Sequence, residues 1–470
     1  MEIKRQVLQL LFAHFPHTPT DGQRVAGQML VDFLYDPDPS SAFVLKGYAG
    51  TGKTSLVSAL IQTLPQLRVR SVLLAPTGRA AKVLSGYSGR RALTIHKKIY
   101  STTADNYGIM RCAKARNKHS YTLFIVDEAS MIGDGSEGDY NLLDDLVSYV
   151  KDGNHCRLML IGDMAQLPPV GSTVSPALDT DSLQFSCGLN VHSYELTEVV
   201  RQSETSGILH NSTLIRQQIA SGNETPQMPV FDLSHCSDVV RIVGGELEDI
   251  LNTEYSNSGS EEVVLVCRTN KRANIFNNEI RNRILFRDEQ LNTGDYLMVV
   301  KNNYFWADDE SGIGFIANGD IAEILRLRNM EDLYGFHFAT AELRFIDYPE
   351  APEIECKILL DTLVSESPSL TADESRRLFN EVMLDYADLP TKGDRLKAVR
   401  SNPHYNALQV KFAYSLTCHK TQGGQWDTVI IDQGFLPDGA DREYLRWLYT
   451  ALTRAKRKVY LLNFDDVFFE

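Results

Sequence analysis

Residues Gly47 to Thr54 read GYAGTGKT, and no other stretch constrains the fold as strongly. They follow the apolar run Ala42–Leu45 and precede an amphipathic run that ends near Pro65. This is the phosphate-binding pattern G-x-x-x-x-G-K-S/T in the strand–loop–helix setting it requires. Glycines let the backbone curl so that successive N–H groups converge on phosphate oxygens. Through Gly47, Ala49, Gly50, Thr51, Gly52 and Ser55 the loop forms a cradle at a helix N-terminus. Lys53 adds a full positive charge, and the Thr54 hydroxyl can ligate Mg²⁺. The reading is a nucleoside triphosphate site.

Such a loop belongs to a parallel sheet covered by helices on both faces, and the next residues follow that rhythm. Buried strands are predicted at Phe43–Lys46, Ser71–Ala75, Leu123–Val126 and Leu158–Ile161. Ligands bind at the carboxyl ends of such strands. The second ends in APTGRAAKVL, where Pro76 stops the strand and Thr77 and Gly78 open a helix. That start reads either as a plain N-cap or as a phosphate contact. The third ends in DEAS, and its adjacent carboxylates point to different sides. Asp127 can reach Mg²⁺, while Glu128 can deprotonate an attacking water. The fourth ends in IGDMAQLPPVG, where Gln166 is either a surface amide or a γ-phosphate sensor.

Residues 97–119 break the rhythm with a basic, turn-containing stretch around Asn106 and Gly108, read as a small hairpin or a surface loop. A second α/β unit begins near Leu196, with strands predicted at Val263–Cys267, Phe412–Leu416, Thr428–Ile431 and Lys458–Leu462. From Gly294 to about Val364 short alternating strands predict a small antiparallel barrel, and residues 365–400 read as a helical arm. Arg201 and Arg454 each read as a solvated helix residue or as an arginine finger supplied from the second unit.

At 470 residues the chain needs more than one core. Its 43% apolar and 23% charged content is that of a soluble protein, and no run of eighteen apolar residues suits a membrane span. Seven scattered cysteines without a C-x-x-C pair argue against zinc and disulfides and for the cytoplasm. A net charge of −14 excludes a generally basic coat but not a basic channel.

Taken in order, GYAGTGKT, APTGRAAK, TIH, VDEAS, GDMAQLPPV, LTEVVRQ, AYSLTCHKTQGGQ and YTALTRAK resemble the motif series of superfamily 1 helicases. NNYFW and GFIANGD (Asn302–Asp320) are similar to the barrel motif of the RecD-like and Dda-like subgroup, with Ile316-Ala317 where Val-Phe is usual. The resemblance implies an α/β fold with two RecA-like motor domains, a small β-hairpin insert in the first, and a β-barrel plus helical arm in the second. The expected division is 1–195, 196–290, 291–404 (the insert) and 405–470, with a strand-separating pin at 97–119.

It also implies roles for single residues. Gln23 reads adenine, Lys53 and Thr54 hold phosphate and Mg²⁺, and Asp127 completes the metal site. Glu128 is the general base, Gln166 couples γ-phosphate to DNA, and Arg201 and Arg454 reach the transition state. Gly424 lies beside the nucleotide. Pro76, Thr77, Gly78, His96, Asn303, Thr417, His419 and Lys420 contact single-stranded DNA. The implied activity is ATP-dependent 5′-to-3′ DNA unwinding by a monomer on tailed or forked duplexes, with other replication, repair or recombination proteins as partners. The alternative is a translocase that remodels protein–nucleic acid complexes or acts on RNA.

Overall fold

The computed structural model describes residues 2–104, 110–133, 141–169, 171–198, 206–221, 227–234, 236–307, 313–436 and 439–469. The first part holds β1 (Ser41–Gly47), β2 (Arg70–Ala75), β3 (Ala92–Thr94), β4 (Tyr100–Ala104), β5 (Met110–Lys114), β6 (Thr122–Val126), β7 (Arg157–Gly162) and β8 (Asn190–Leu196). Six of them form a parallel sheet in the order β3-β2-β6-β7-β1-β8. The predicted strands are its inner members, and their unbroken apolar runs have a simple cause. Phe43, Leu45, Ile125 and Ile161 pack into one core, while Ala42, Val44, Phe124 and Leu160 pack into another on the opposite face. A strand buried on both faces has no polar side to show.

β4 and β5 form the expected hairpin, paired from Tyr100 with Lys114 to Ala104 with Met110. The turn expected at Asn106 and Gly108 lies outside the described residues.

The second part adds β9 (Val239–Ile242), β10 (Val263–Cys267), β11 (Tyr296–Val299), β12 (Ile321–Leu333), β13 (Phe336–Phe345), β14 (Ile354–Leu359), β15 (Leu408–Phe412), β16 (Ser415–Thr417), β17 (Trp426–Asp432) and β18 (Ala455–Leu462). A second parallel sheet runs β16-β10-β17-β18-β9, and β11 to β15 close a barrel. Together the two sheets form the two RecA-like α/β domains that the resemblance implies.

The predicted strand Phe412–Leu416 is divided between two structures. Phe412 ends β15 in the barrel, and Ser415 begins β16 in the sheet. β15 pairs with β11 on one side and β14 on the other, so without it the barrel would stay open. The return to the sheet, expected at 405, therefore comes at Ser415.

The stems of the insert are tied by Asp295, which is fully buried. It accepts hydrogen bonds from Arg281, Arg287 and the Tyr414 hydroxyl, at 3.0, 2.8 and 3.0 Å respectively.

The arm is a pair of helices, Ala372–Leu384 and Lys392–Arg400, capped by Thr371 and Thr391. Leu378, Val382 and Val399 pack on Phe336 and Phe338 of β13, so the arm shares a core with the barrel.

Candidate active site between the two sheets

β1 delivers the phosphate loop, and Gly52 (φ 81°) turns the chain into helix Lys53–Thr63 in a left-handed conformation that favours glycine. Lys53 Nζ lies over the loop and donates to the carbonyls of Gly47 (2.6 Å) and Tyr48 (2.9 Å). Thr51 braces the turn with a 2.8 Å bond to Tyr48 O. Gln23 is fully buried. Its Oε1 accepts from Thr20 N–H and its Nε2 donates to Thr51 O, both at 3.0 Å. The glutamine therefore fixes the loop from beneath.

β6 delivers the two carboxylates. Asp127 Oδ2 accepts from the Tyr87 hydroxyl at 2.7 Å and Oδ1 from Glu128 N–H at 2.8 Å. Burial and the neighbouring carboxylate push the Tyr87 phenol far above its ordinary value, so it remains a donor. The Asp127 carboxylate and the Thr54 hydroxyl, in the first turn of the helix, are hard oxygen donors of the kind Mg²⁺ takes, and each Asp127 oxygen keeps a lone pair. The residues fit a metal-bound triphosphate.

Glu128 has φ 52°, a left-handed backbone on a residue with a side chain. Such strain concentrates at functional sites. Burial raises its carboxyl above the usual range, and the nearby Arg454 guanidinium opposes that rise.

Arg454 comes from the second domain. It is 4% exposed, donates to the carbonyls of Thr450 (3.1 Å) and Gly424 (3.3 Å), and lies 3.9 Å from Glu128 Oε1. The reading as a solvated helix residue does not hold, because the guanidinium lies between the domains. Gly424 serves that arginine through its carbonyl. Gln166 is buried as well, and its Oε1 has no partner among the described residues. It lines a small cavity with Ser130, Asp163 and Arg446, so it is not a surface amide. Arg201 lies outside the described residues.

Of the residues expected on DNA, Gly78 and Lys420 touch the barrel insert, at Asp320 and Asn318. Thr77 caps helix Gly78–Ser88 by accepting from Ala80 N–H at 3.2 Å, with Pro76 just before it. His96 sits in the short helix at the hairpin base, its ring 5.5 Å from that of Tyr100. Thr417 ends β16 and leads into His419 and Lys420. Burial lowers the His419 pKa below its ordinary value. Lys420 Nζ donates to Asn318 of the barrel at 2.9 Å. Asn303 is used within the insert: Nδ2 donates to Asn406 O at 2.7 Å, and Oδ1 accepts from the N–H groups of Phe305 and Trp306.

Gly78 meets the barrel through bare backbone. A Cβ there would lie 2.3 Å from Asp320 Oδ1 and 2.9 Å from the Tyr348 hydroxyl, and Asp320 is fully buried. Gly78→Ala should therefore cost about 1–3 kcal/mol by overpacking, read as a lower urea midpoint. An unchanged midpoint would mean that Asp320 moves aside freely.

Sequence reasoning missed the residues that join the domains. The Arg79 guanidinium stacks 3.8 Å over the Trp426 ring. Tyr449 donates to Asp163 at 2.7 Å. Thr450 Oγ1 accepts from Leu167 N–H at 2.8 Å, and Gln422 donates to Leu167 O at 2.7 Å. All of them lie within or next to motifs already singled out. Nothing local, however, marks a tyrosine or threonine on a helix as reaching another domain.

The AAA domain profile matches residues 23–226, and that of the UvrD-like helicase C-terminal domain matches 412–462. The ATP-dependent RecD2 DNA helicase of Deinococcus radiodurans is 24% identical over 89% of this chain and 46% of its own length. The ATP-dependent DNA helicase dda of phage T4 is 30% identical over 39% of this chain and 40% of its own. The chain thus spans less than half of these curated relatives. A Pif1 helicase from Bacteroides, solved with ADP-AlF3 and ssDNA, aligns over 97% of this chain and 95% of its own at 16% identity and a TM-score of 0.47. Among the described residues no helix is long and apolar enough to cross a membrane. The ordered motifs, both family profiles and these relatives agree in likening the chain to the superfamily 1 helicases of the RecD and Dda type.

Proposed function

We propose that the chain is an ATP-dependent DNA helicase that moves 5′ to 3′ on single-stranded DNA and unwinds duplex ahead of it. One observation carries the reading: Arg454 of the second domain faces Glu128 of the first across 3.9 Å, beside the phosphate loop. A general base and a compensating charge on opposite domains make hydrolysis depend on how the domains meet.

Bound ATP with Mg²⁺ supplies the anhydride whose cleavage drives the cycle. Lys53 and the loop amides hold the phosphates, while Thr54 and Asp127 hold the metal. Glu128 takes the proton of the attacking water, and Arg454 offsets the charge that develops. Closing and reopening the cleft is a hinge motion. It alternates the grip of Thr77 on one side with that of Thr417, His419 and Lys420 on the other. The hairpin at 97–119 would serve as the strand-separating pin that the family resemblance implies. A base-pair step costs about 1.4 kcal/mol, well within the free energy of one ATP. The related helicases support DNA as the track, and the barrel insert supports the polarity through the RecD-like resemblance.

The test is strand displacement with ATP and Mg²⁺ on matched duplexes bearing a 5′ or a 3′ tail. Unwinding from the 5′ tail alone is expected. Unwinding from the 3′ tail alone would overturn the polarity. Failure on both, with DNA-stimulated hydrolysis intact, would favour a translocase that strips proteins or acts on RNA.

A further inference from the structure

Helix Arg442–Leu452 of the second domain carries more than an approach to Arg454. Its Tyr449 crosses the interface, and the hydroxyl makes two hydrogen bonds in the first domain. It donates to Asp163 Oδ2 at 2.7 Å and accepts from Ala49 N–H at 2.9 Å. Tyr449 is 1% exposed and Asp163 is 2% exposed, so the bond between them is shut off from water. Ala49 belongs to the phosphate loop, and Asp163 opens the loop that carries Gln166. Asp163 is itself held, its Oδ1 accepting from Ala165 N–H at 2.9 Å. One hydroxyl therefore fastens two loops of one domain from the other. A phenylalanine would fill the same space, but it would leave the half-buried Ala49 amide and a buried carboxylate oxygen without their partner. Thr450 and Arg446, on the same helix, bond Leu167 N–H and Thr173 O further along the second loop.

We propose that Tyr449 is a positioning residue for ATP hydrolysis, setting the Ala49 peptide and the Asp163 carboxylate in register when the second domain docks. The proposal rests on the ATPase reading above. Docking then does two things through one helix: it brings Arg454 to Glu128, and it fixes the loop that holds the phosphates. The hydroxyl touches no reacting atom and acts only through its two partners. Its loss therefore lowers turnover and spares nucleotide binding.

Tyr449→Phe tests this. The kcat of hydrolysis stimulated by single-stranded DNA should fall about tenfold, the scale of a lost hydrogen bond to a charged group. The affinity for a fluorescent ADP should stay within about twofold of wild type. Adding Asp163→Asn to Tyr449→Phe should lower kcat no further, because both changes break the same contact. A kcat within about twofold of wild type would overturn the proposal. So would an equal loss of ADP affinity, or a double variant whose losses multiply. A wild-type chain without DNA-stimulated hydrolysis would overturn the ATPase reading instead.

Discussion

Arg454→Ala should slow ATP hydrolysis by about 10³-fold or more and leave ATP affinity nearly unchanged, as for an arginine finger. The side chain is held by its bonds to Thr450 O, Gly424 O and Thr453 Oγ1. Its charge is thus prepaid for the transition state, where it counts most. A second effect follows from Glu128. Burial raises that carboxyl, and Arg454 pulls it down. Removing the guanidinium therefore lets the pKa climb further. A general base must be ionised to act, so the low-pH limb of the rate profile should move to higher pH. Single-turnover phosphate release measured across pH reads both effects. Loss of ATP binding would instead make Arg454 a ground-state ligand.

Glu128→Gln should lower turnover by about 10²- to 10⁴-fold while ATP still binds, because an amide accepts no proton from water. The swap keeps the shape of the side chain and leaves Asp127 its bond from the residue-128 N–H at 2.8 Å. The left-handed backbone at φ 52° stays equally strained. The change is therefore confined to proton transfer. Single-turnover hydrolysis beside a nucleotide-binding titration separates the two steps. Turnover close to wild type would move the base elsewhere.

The inner strands and the phosphate site were legible because each rests on a local cause. An apolar run buried on both faces, such as Phe43–Lys46, can be little else than a strand. GYAGTGKT carries its chemistry in consecutive residues. What escaped is non-local. β3, β8 and β9 lie at sheet edges, where half-exposed sequences such as NVHSYEL suffice. β15 and β16 merged into one predicted strand because nothing in KFAYSL marks the passage from barrel to sheet. Gln166 and Arg454 kept two readings until the second domain was seen to cover them. Asp163 and Tyr449 lie 286 residues apart, and only the folded chain brings them together.

The junction at Asp295 and Tyr414 limits how the protein can be dissected. A minimal motor made by deleting 291–404 would retain β15, whose Leu408, Val410 and Phe412 are at most 4% exposed in the barrel. Stripped of β11 and β14, that strand would offer an unpaired apolar edge directly before the sheet, an invitation to aggregate. Cutting further, through Tyr414, would join a linker to Ser415 and strip Leu265 N–H of its 3.0 Å bond to Tyr414 O. The insert is built into the motor's own edge and does not detach as a module.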